Sequence, residues 1–458
     1  MKKLQLLSLI IFVPVFSVAQ AFTDLNWGLR GFTGANVAFA DYDNDGDQDF
    51  VMSGFGSTTA EWSGFYRIDN SIPVLIDSSL IKVSNGSSNW GDYDHDGDLD
   101  LLMNGQTNGG AQTALYRNDG TSLLTPVPNN GLPGFIGCMR WIDYDHDQLL
   151  DVIASGMIDV NFMDTTMLFH NDGNGTFSHA ASFPFSFFEV DIQVMDYDTD
   201  SFPDFFITGR GSFSPNGFCG LFHNDGNGQF TQAPDNFRRL FTGTAKWGDY
   251  DNDGDPDILV DGIDSTNAVF TLIYENNSGS FTELPNVLPG SGEPGAVDWA
   301  DIDNDGDFDI AISGSHLMRN DGNNLFANIS PWDTMNFALP ITFVDFDEDG
   351  DQDIFFLSYF GFTGTTMYQN NLFTGIKKDP RTENLLLYPN PANTSISIQS
   401  DKALNASFTV FDTQGRVVKK SNLNTSENSI DISGFETGVY FIEIKNQDSI
   451  RKLRFTKM

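Results

Sequence analysis

Short apolar runs punctuate the chain at regular intervals. The stretches "FVMSG", "LLMNG", "VIASG" and "ILVDG" are too brief for a helix and place apolar residues side by side, the pattern of a strand buried on both faces. Through a variable segment the runs lead into "LYRNDG", "LFHNDGNGTF", "LFHNDGNGQF", "LIYENNSGSF" or "LMRNDGNNLF", each read as a strand, an Asn/Asp-Gly type of turn and another strand. Ahead of each apolar run lies an acidic stretch. Two positions before its first aspartate stands a large apolar residue: Phe39, Trp90, Trp141, Val194, Trp247, Trp299 or Phe343. The unit is therefore four short strands, a to d, with an acidic loop joining a to b.

The first acidic loop, "DYDNDGDQD" from Asp41, has an aspartate at every second position. It recurs as "DYDHDGDLD", "DYDHDQLLD", "DYDTDSFPD", "DYDNDGDPD", "DIDNDGDFD" and "DFDEDGDQD", with starts 51, 51, 53, 53, 52 and 44 residues apart. Such a period means a repeat array. Seven four-stranded units predict an all-β fold, a seven-bladed β-propeller with calcium loops. The last unit runs into "TGIKKDPRTE" with little room for strand d, while "QAFTDLN" near the start resembles the strand-d stretches "GTFSHA" and "GQFTQA". Residues near Phe22 are expected to complete the seventh blade.

Carboxylates packed this densely repel one another unless a cation compensates them. Calcium takes six to eight oxygens, and a D-x-D-x-D-G loop wraps side chains from positions one, three and five around one point. Glycine at position six allows the sharp turn, position seven offers its backbone carbonyl, and the aspartate at position nine closes the shell. The expected ligands are Asp41, Asp43, Asp45, Asp47 and Asp49 in the first loop and Asp92, Asp94, Asp96, Asp98 and Asp100 in the second. The third loop offers Asp143, Asp145, Asp147, Leu149 and Asp151, the fourth Asp196, Asp198, Asp200, Phe202 and Asp204. Asp249, Asp251, Asp253, Asp255 and Asp257 serve the fifth, Asp301, Asp303, Asp305, Asp307 and Asp309 the sixth, and Asp345, Asp347, Asp349, Asp351 and Asp353 the seventh. About seven structural Ca2+ ions are expected on this count. In the third and fourth loops Gln148 and Ser201 replace the turn glycine, so weaker sites are expected there.

The pairing of "DYDNDGDPD" with "LFHNDGNGTF" resembles the FG-GAP and VCBS-type repeat, the unit of integrin-α-like propellers. The resemblance covers about residues 20–376. It implies the propeller and its calcium, and leaves activity open, because the family hosts adhesins, lectin-like modules and lyases.

Beyond residue 376 the character changes. The segment from Lys377 onward has net charge +3, leaving −42 for the remainder of a chain at −39. After a linker at 377–383, the runs "LLLYPNP", "SISIQS", "SFTVFD", "GVYFIEI" and "KLRFTK" read as a small β-sandwich over 384–458. Through "YPNPA", "FDTQGRVV" and "TGVYFIEI" this segment resembles the C-terminal sorting domain of the type IX secretion system. That resemblance implies the type IX secretion machinery as a partner and a secreted or outer-surface location in a Gram-negative bacterium. At the other end, "MKKLQLLSLIIFVPVFSVAQ" reads as a signal peptide over 1–19, and no later stretch is long and apolar enough to span a bilayer.

The acidity excludes nucleic acid as a partner and demands bound cations. Cys138 and Cys219 read as buried thiols rather than a disulfide framework. No catalytic motif is present, so the chain is read as a non-enzyme. His95 and His146 sit at position four of their loops, pointing away, His170 and His223 read as strand surface, and His179 and His316 lack a recognisable partner. The expected role is a binding or adhesion module for a glycan or protein ligand. Its working face is placed opposite the acidic loops, with Trp27, Trp62, Phe213 and Trp332 as stacking platforms and Arg30, Arg210, Arg238 and Arg239 as charges. The alternatives are a calcium-dependent polysaccharide lyase or other glycan-active enzyme, and a structural spacer.

Overall fold

A computed structural model describes residues 22–371 and 385–457, apart from 57–59, 70, 121–122, 159–162, 186, 212–213, 227, 235–236, 242, 286–287, 291–295, 314–315, 323, 331–337, 359–364, 389–391, 401–405, 413–415, 436–437 and 446–449. The expected leader at 1–19, the linker at 377–383, Phe213 and Trp332 lie outside the described residues.

Every element among the described residues is a strand. Seven antiparallel sheets of four strands follow one another along residues 22–370. Their a strands are Thr33–Ala40, Ser88–Gly91, Phe135–Ile142, Phe188–Met195, Ala245–Gly248, Val297–Ala300 and Ala338–Val344. Each b strand opens on the ninth residue of an acidic loop: Asp49–Phe55, Asp100–Thr107, Asp151–Ile158, Asp204–Gly211, Asp257–Ile263, Asp309–Ile312 and Asp353–Ser358. These b strands are buried almost end to end, as their unbroken apolar runs require.

Adjacent sheets pack face to face through these strands. Leu102 and Leu115 of the second sheet meet Met139, Val152 and Phe169 of the third in one cluster, and Phe346, Phe355 and Met367 of the last sheet meet Phe50 and Tyr66 of the first in another. The a-strand tryptophans add polar ties, with the indole N–H of Trp90, Trp141 and Trp299 donating to Ala38, Asn89 and Trp247 carbonyls of the preceding sheet at 3.2, 3.4 and 2.7 Å. Each a strand lies against the next, and the last lies against the first, so the arrangement is propeller-like. A cavity of about 500 Å³ at its centre is lined by residues from all seven a strands, including Asn89, Arg140, Asp191 and Lys246.

The outer strand of the last sheet comes from the start of the chain. Phe22–Asp24 pairs antiparallel with Thr366–Asn370 through Phe22 opposite Asn370.

Residues 385–457 form two sheets. Leu385–Tyr388, Ser395–Ser400 and Glu427–Asp431 make one, and Val417–Leu423, Ala406–Asp412, Gly438–Lys445 and Ile450–Lys457 make the other in that spatial order. Ile396, Ile398 and Ile430 from the first meet Phe408, Val410, Tyr440 and Ile442 from the second in a single core, the packing of a small sandwich.

Candidate metal centres

The acidic loops fold alike because the same side chains hold the same backbone groups. At position one, a carboxylate accepts the N–H of position six in every loop, at 3.0 Å in Asp41, 3.2 Å in Asp143 and 2.9 Å in Asp196. The carboxylate at position five accepts the N–H of position seven, as Asp96 does from Asp98 at 3.0 Å and Asp200 from Phe202 at 2.8 Å. Position four is left-handed throughout, occupied by Asn44, His95, His146, Thr199, Asn252, Asn304 and Glu348. Position six is left-handed too. Its five glycines have φ of 95° to 102°, and Gln148 and Ser201 are held at 74° and 80°. The two non-glycine residues thus keep the positive φ of the turn, a conformation costing an L-residue about 1–2 kcal/mol.

The ninth aspartate is the keystone. Asp49, Asp100, Asp151, Asp204, Asp257, Asp309 and Asp353 are each 0% exposed. One oxygen accepts the N–H at the end of strand c, at 2.7–2.8 Å from Ile68, Asn118, Asn171, Asn224, Asn276, Asn320 and Asn370. In six loops the other oxygen accepts the N–H of position two, as Asp100 does from Tyr93 at 3.1 Å. Burial pushes these carboxyls far above the usual range, to about 8 for Asp49 and Asp309, about 7 for Asp100, Asp151, Asp204 and Asp257, and about 9 for Asp353, with the neighbouring aspartates adding to the rise.

The donor sets suit a hard dication. Oxygens of three aspartates converge within 4.8 Å in the loops of Asp41, Asp92 and Asp143. Asp49 Oδ2, Asp143 Oδ1, Asp198 Oδ1 and Asp303 Oδ1 are shielded from water without a hydrogen-bond partner, although a buried lone acceptor is costly. A bound calcium would supply the missing positive charge at this point.

The asparagine at the end of strand c links neighbouring loops, a role the sequence reading missed. The side-chain N–H of Asn118, Asn171, Asn224, Asn276 and Asn370 donates to the position-two carbonyl of the preceding loop, Tyr42, Tyr93, Tyr144, Tyr197 and Ile302, at 2.8–3.0 Å. Its recurrence in "NDG" was visible, but read only as turn chemistry.

The histidines require a correction. His170 and His223 remain partly exposed on strand c, 31% and 28%, but their Nδ1 atoms face the loop carboxylates, His170 at 3.4 Å from Asp145 and 3.2 Å from Asp151, His223 at 3.3 Å from both Asp198 and Asp204. Their position in strand c gave no hint of the direction in which they point. His179 Nε2 bonds Ser182 at 2.8 Å and His316 Nδ1 bonds Asn328 at 3.0 Å. Cys138 and Cys219 are free and buried, as expected.

The proposed stacking platforms also change. Trp27 is packed among Phe50, Phe346 and Phe355, at the seam between the first and last sheets, and is not a free platform. Trp62 stacks on Phe32 at 5.4 Å, and the Arg30 guanidinium lies over the Trp62 ring, 5.7 Å from its centroid. Arg210 lies 5.2 Å over Phe241, and Arg238 lies 4.2 Å over Phe270 while bonding Glu283 at 2.7 Å.

Two known families match parts of the chain. The FG-GAP-like repeat model matches residues 92–154, 196–260 and 263–312, and the secretion system C-terminal sorting domain matches 386–455. The chain carries FG-GAP-like repeats and a type IX sorting tail. That tail marks it for export to the cell surface or the medium. A 73-residue stretch is 32% identical to β-agarase A of Zobellia galactanivorans, covering 16% of this chain and 14% of that enzyme. Among solved structures, the chain aligns with PorZ, a surface component of the type IX secretion system of Porphyromonas gingivalis, at 12% identity and a TM-score of 0.21, over 96% of this chain and 85% of that one. It also aligns with sucrose-6-phosphate hydrolase from Lactobacillus gasseri at 11% identity and a TM-score of 0.35, over 82% and 87%. No helix among the described residues is long and apolar enough to cross a membrane.

Proposed function

We propose that the exported protein is a seven-bladed propeller tied together by calcium along one rim and used as a binding module at the other. The acidic loops serve the fold. Their carboxylates hold backbone N–H groups and face a common point, so a dication there would be held by positions one, three, five and nine and would supply charge compensation rather than chemistry. The observation that carries the binding role is the set of guanidinium–ring pairs at the ends of the strands away from these loops: Arg30 with Trp62, Arg210 with Phe241 and Arg238 with Phe270. In a chain of net charge −39 each pair sets a cation beside an aromatic ring, chemistry suited to an acidic glycan or an acidic protein segment, although Arg238 is already paired with Glu283.

The test is an array of glycans and surface proteins probed with the calcium-loaded chain and with the R30A/R210A/R238A variant. Binding by the parent that the variant loses is the expected result; equal binding by both would move the ligand elsewhere. The partial likeness to an agarase favours a second reading, action on a polysaccharide. Incubation with neutral and acidic polysaccharides, followed by analysis for shortened or unsaturated products, decides between them.

A further inference from the structure

Two of the seven loops depart from the others together. The units whose loops lack the turn glycine, with Gln148 and Ser201 in its place, are the two that carry histidine one residue before the linking asparagine. At this strand position the other units have Arg67, Arg117, Glu275, Arg319 and Gln369. The three arginines turn away from the loops to Asp69, Asp119 and Asp321, at 2.9, 2.8 and 2.7 Å. The two imidazoles turn inward.

Each Nδ1 faces two carboxylates at once, at 3.2–3.4 Å, and each is shielded from solvent without a hydrogen-bond partner. The pose is the same in both units, with the ring edge-on to the tyrosine of position two, Tyr144 at 6.2 Å and Tyr197 at 6.1 Å. A charge-assisted N–H···O bond would be about 2.7–2.9 Å long. Two atoms bound to one ion at about 2.0–2.1 Å and at the tetrahedral angle lie about 3.3 Å apart. The observed separations are those of ligands around a shared centre. Calcium takes oxygen donors, whereas imidazole beside carboxylate is a donor set for zinc and its neighbours.

We propose that the third and fourth loops are mixed imidazole–carboxylate sites for a zinc-class transition-metal dication, held by Asp145, Asp151 and His170 and by His223 with Asp198, Asp200 and Asp204. The inference rests on reading the loops as cation sites, and it assigns two of them to a different cation from the other five. The buried Asp151 and Asp204 contribute the same oxygens that tie strand c, so metal and fold are joined at one atom.

The full exported chain, stripped of metal and re-equilibrated with zinc in a large excess of calcium, is passed over a desalting column and its metals are counted by mass spectrometry. Cobalt loading gives a second readout, the visible d–d bands of a nitrogen-ligated ion. Two zinc per chain are expected, one in H170Q, one in H223Q and none in H170Q/H223Q, with calcium content unchanged by the substitutions. Glutamine is tolerated at this position, since Gln369 fills it in the last unit and donates to Asp347 at 2.6 Å. Zinc retained in full by H170Q/H223Q, or calcium in all loops with no zinc, overturns the proposal. Two zinc lost on substitution, with no calcium bound, supports it and removes the calcium reading of the other five.

Discussion

Metal-free protein should have an inverted pH dependence, stable in mild acid and unstable near neutrality. The ninth aspartate of each loop is fully buried, and burial raises Asp100, for example, from 3.8 to about 7. Below about pH 4 such a group is protonated in both folded and unfolded chains, and burial carries no electrostatic penalty. As pH rises further the unfolded chain ionises first, so the folded state binds more protons and loses stability progressively until pH passes the folded value, after which the loss is constant. At about 1.4 kcal/mol per pH unit, the shift of Asp100 corresponds to about 4 kcal/mol. The six other ninth-position aspartates are raised to about 7, 8 or 9, so even a fraction of that figure at each would exceed the ~5–15 kcal/mol stability of a typical domain. A calcium ion bound to the ionised form would reverse the sign. Thermal melts of chelated chain, followed by circular dichroism from about pH 5 to about pH 8.5, should therefore show Tm falling steadily, while melts in millimolar calcium should not. A flat or rising Tm in the metal-free series would show that the buried carboxylates are compensated by something other than a cation.

Four further outcomes follow from particular contacts. Asp100→Asn leaves one acceptor for the two N–H groups of Asn118 and Tyr93, so the loaded protein should lose about 1–3 kcal/mol in a denaturant melt and one calcium by metal analysis. Gly97 has φ +95° with nothing within 4 Å of an added Cβ, so Gly97→Ala should cost about 1 kcal/mol through the backbone alone, and Gln148→Gly should gain a similar amount; two unchanged melting points would remove the turn-strain argument. Asn171→Ala strips the carbonyls of Tyr93 and Leu150 of a donor at 2.9 and 3.1 Å and should lower stability by about 2 kcal/mol, whereas Arg117→Ala, at an exposed ion pair, should change the melt little. Deleting residues 386–455 should leave a folded repeat domain retained in the periplasm, and its normal appearance in the medium would refute the role given to the tail.

The repeat, its four-stranded unit and the strand borrowed from the chain start were legible because period, turn chemistry and apolar runs are local properties. "FVMSG" reads as a buried strand wherever it lies, and "QAFTDLN" matched other d strands by composition alone. What stayed hidden depends on direction. Nothing in "LFHNDG" tells whether the histidine points to water or to the aspartates of a loop nearly twenty residues earlier in the chain, and the strand register decides it. Trp27 failed for a similar reason, since a seam between the first and last sheets joins residues more than three hundred positions apart. The asparagine link was missed because its acceptor lies in another unit, 76 residues away in the case of Asn118 and Tyr42.

The borrowed strand sets an order of events. Phe22–Asp24 docks on Thr366–Asn370, and the Thr366 hydroxyl donates to Asp24 at 2.6 Å across 342 residues of chain. A polypeptide emerging from its amino end through a membrane presents the latch first and the catch last, so the ring cannot shut until nearly the whole repeat region has crossed. Closure of so long a loop is slow, and the last sheet waits with an open edge meanwhile. The clasp at the chain start thus becomes the final step of assembly, timed by transit rather than by synthesis.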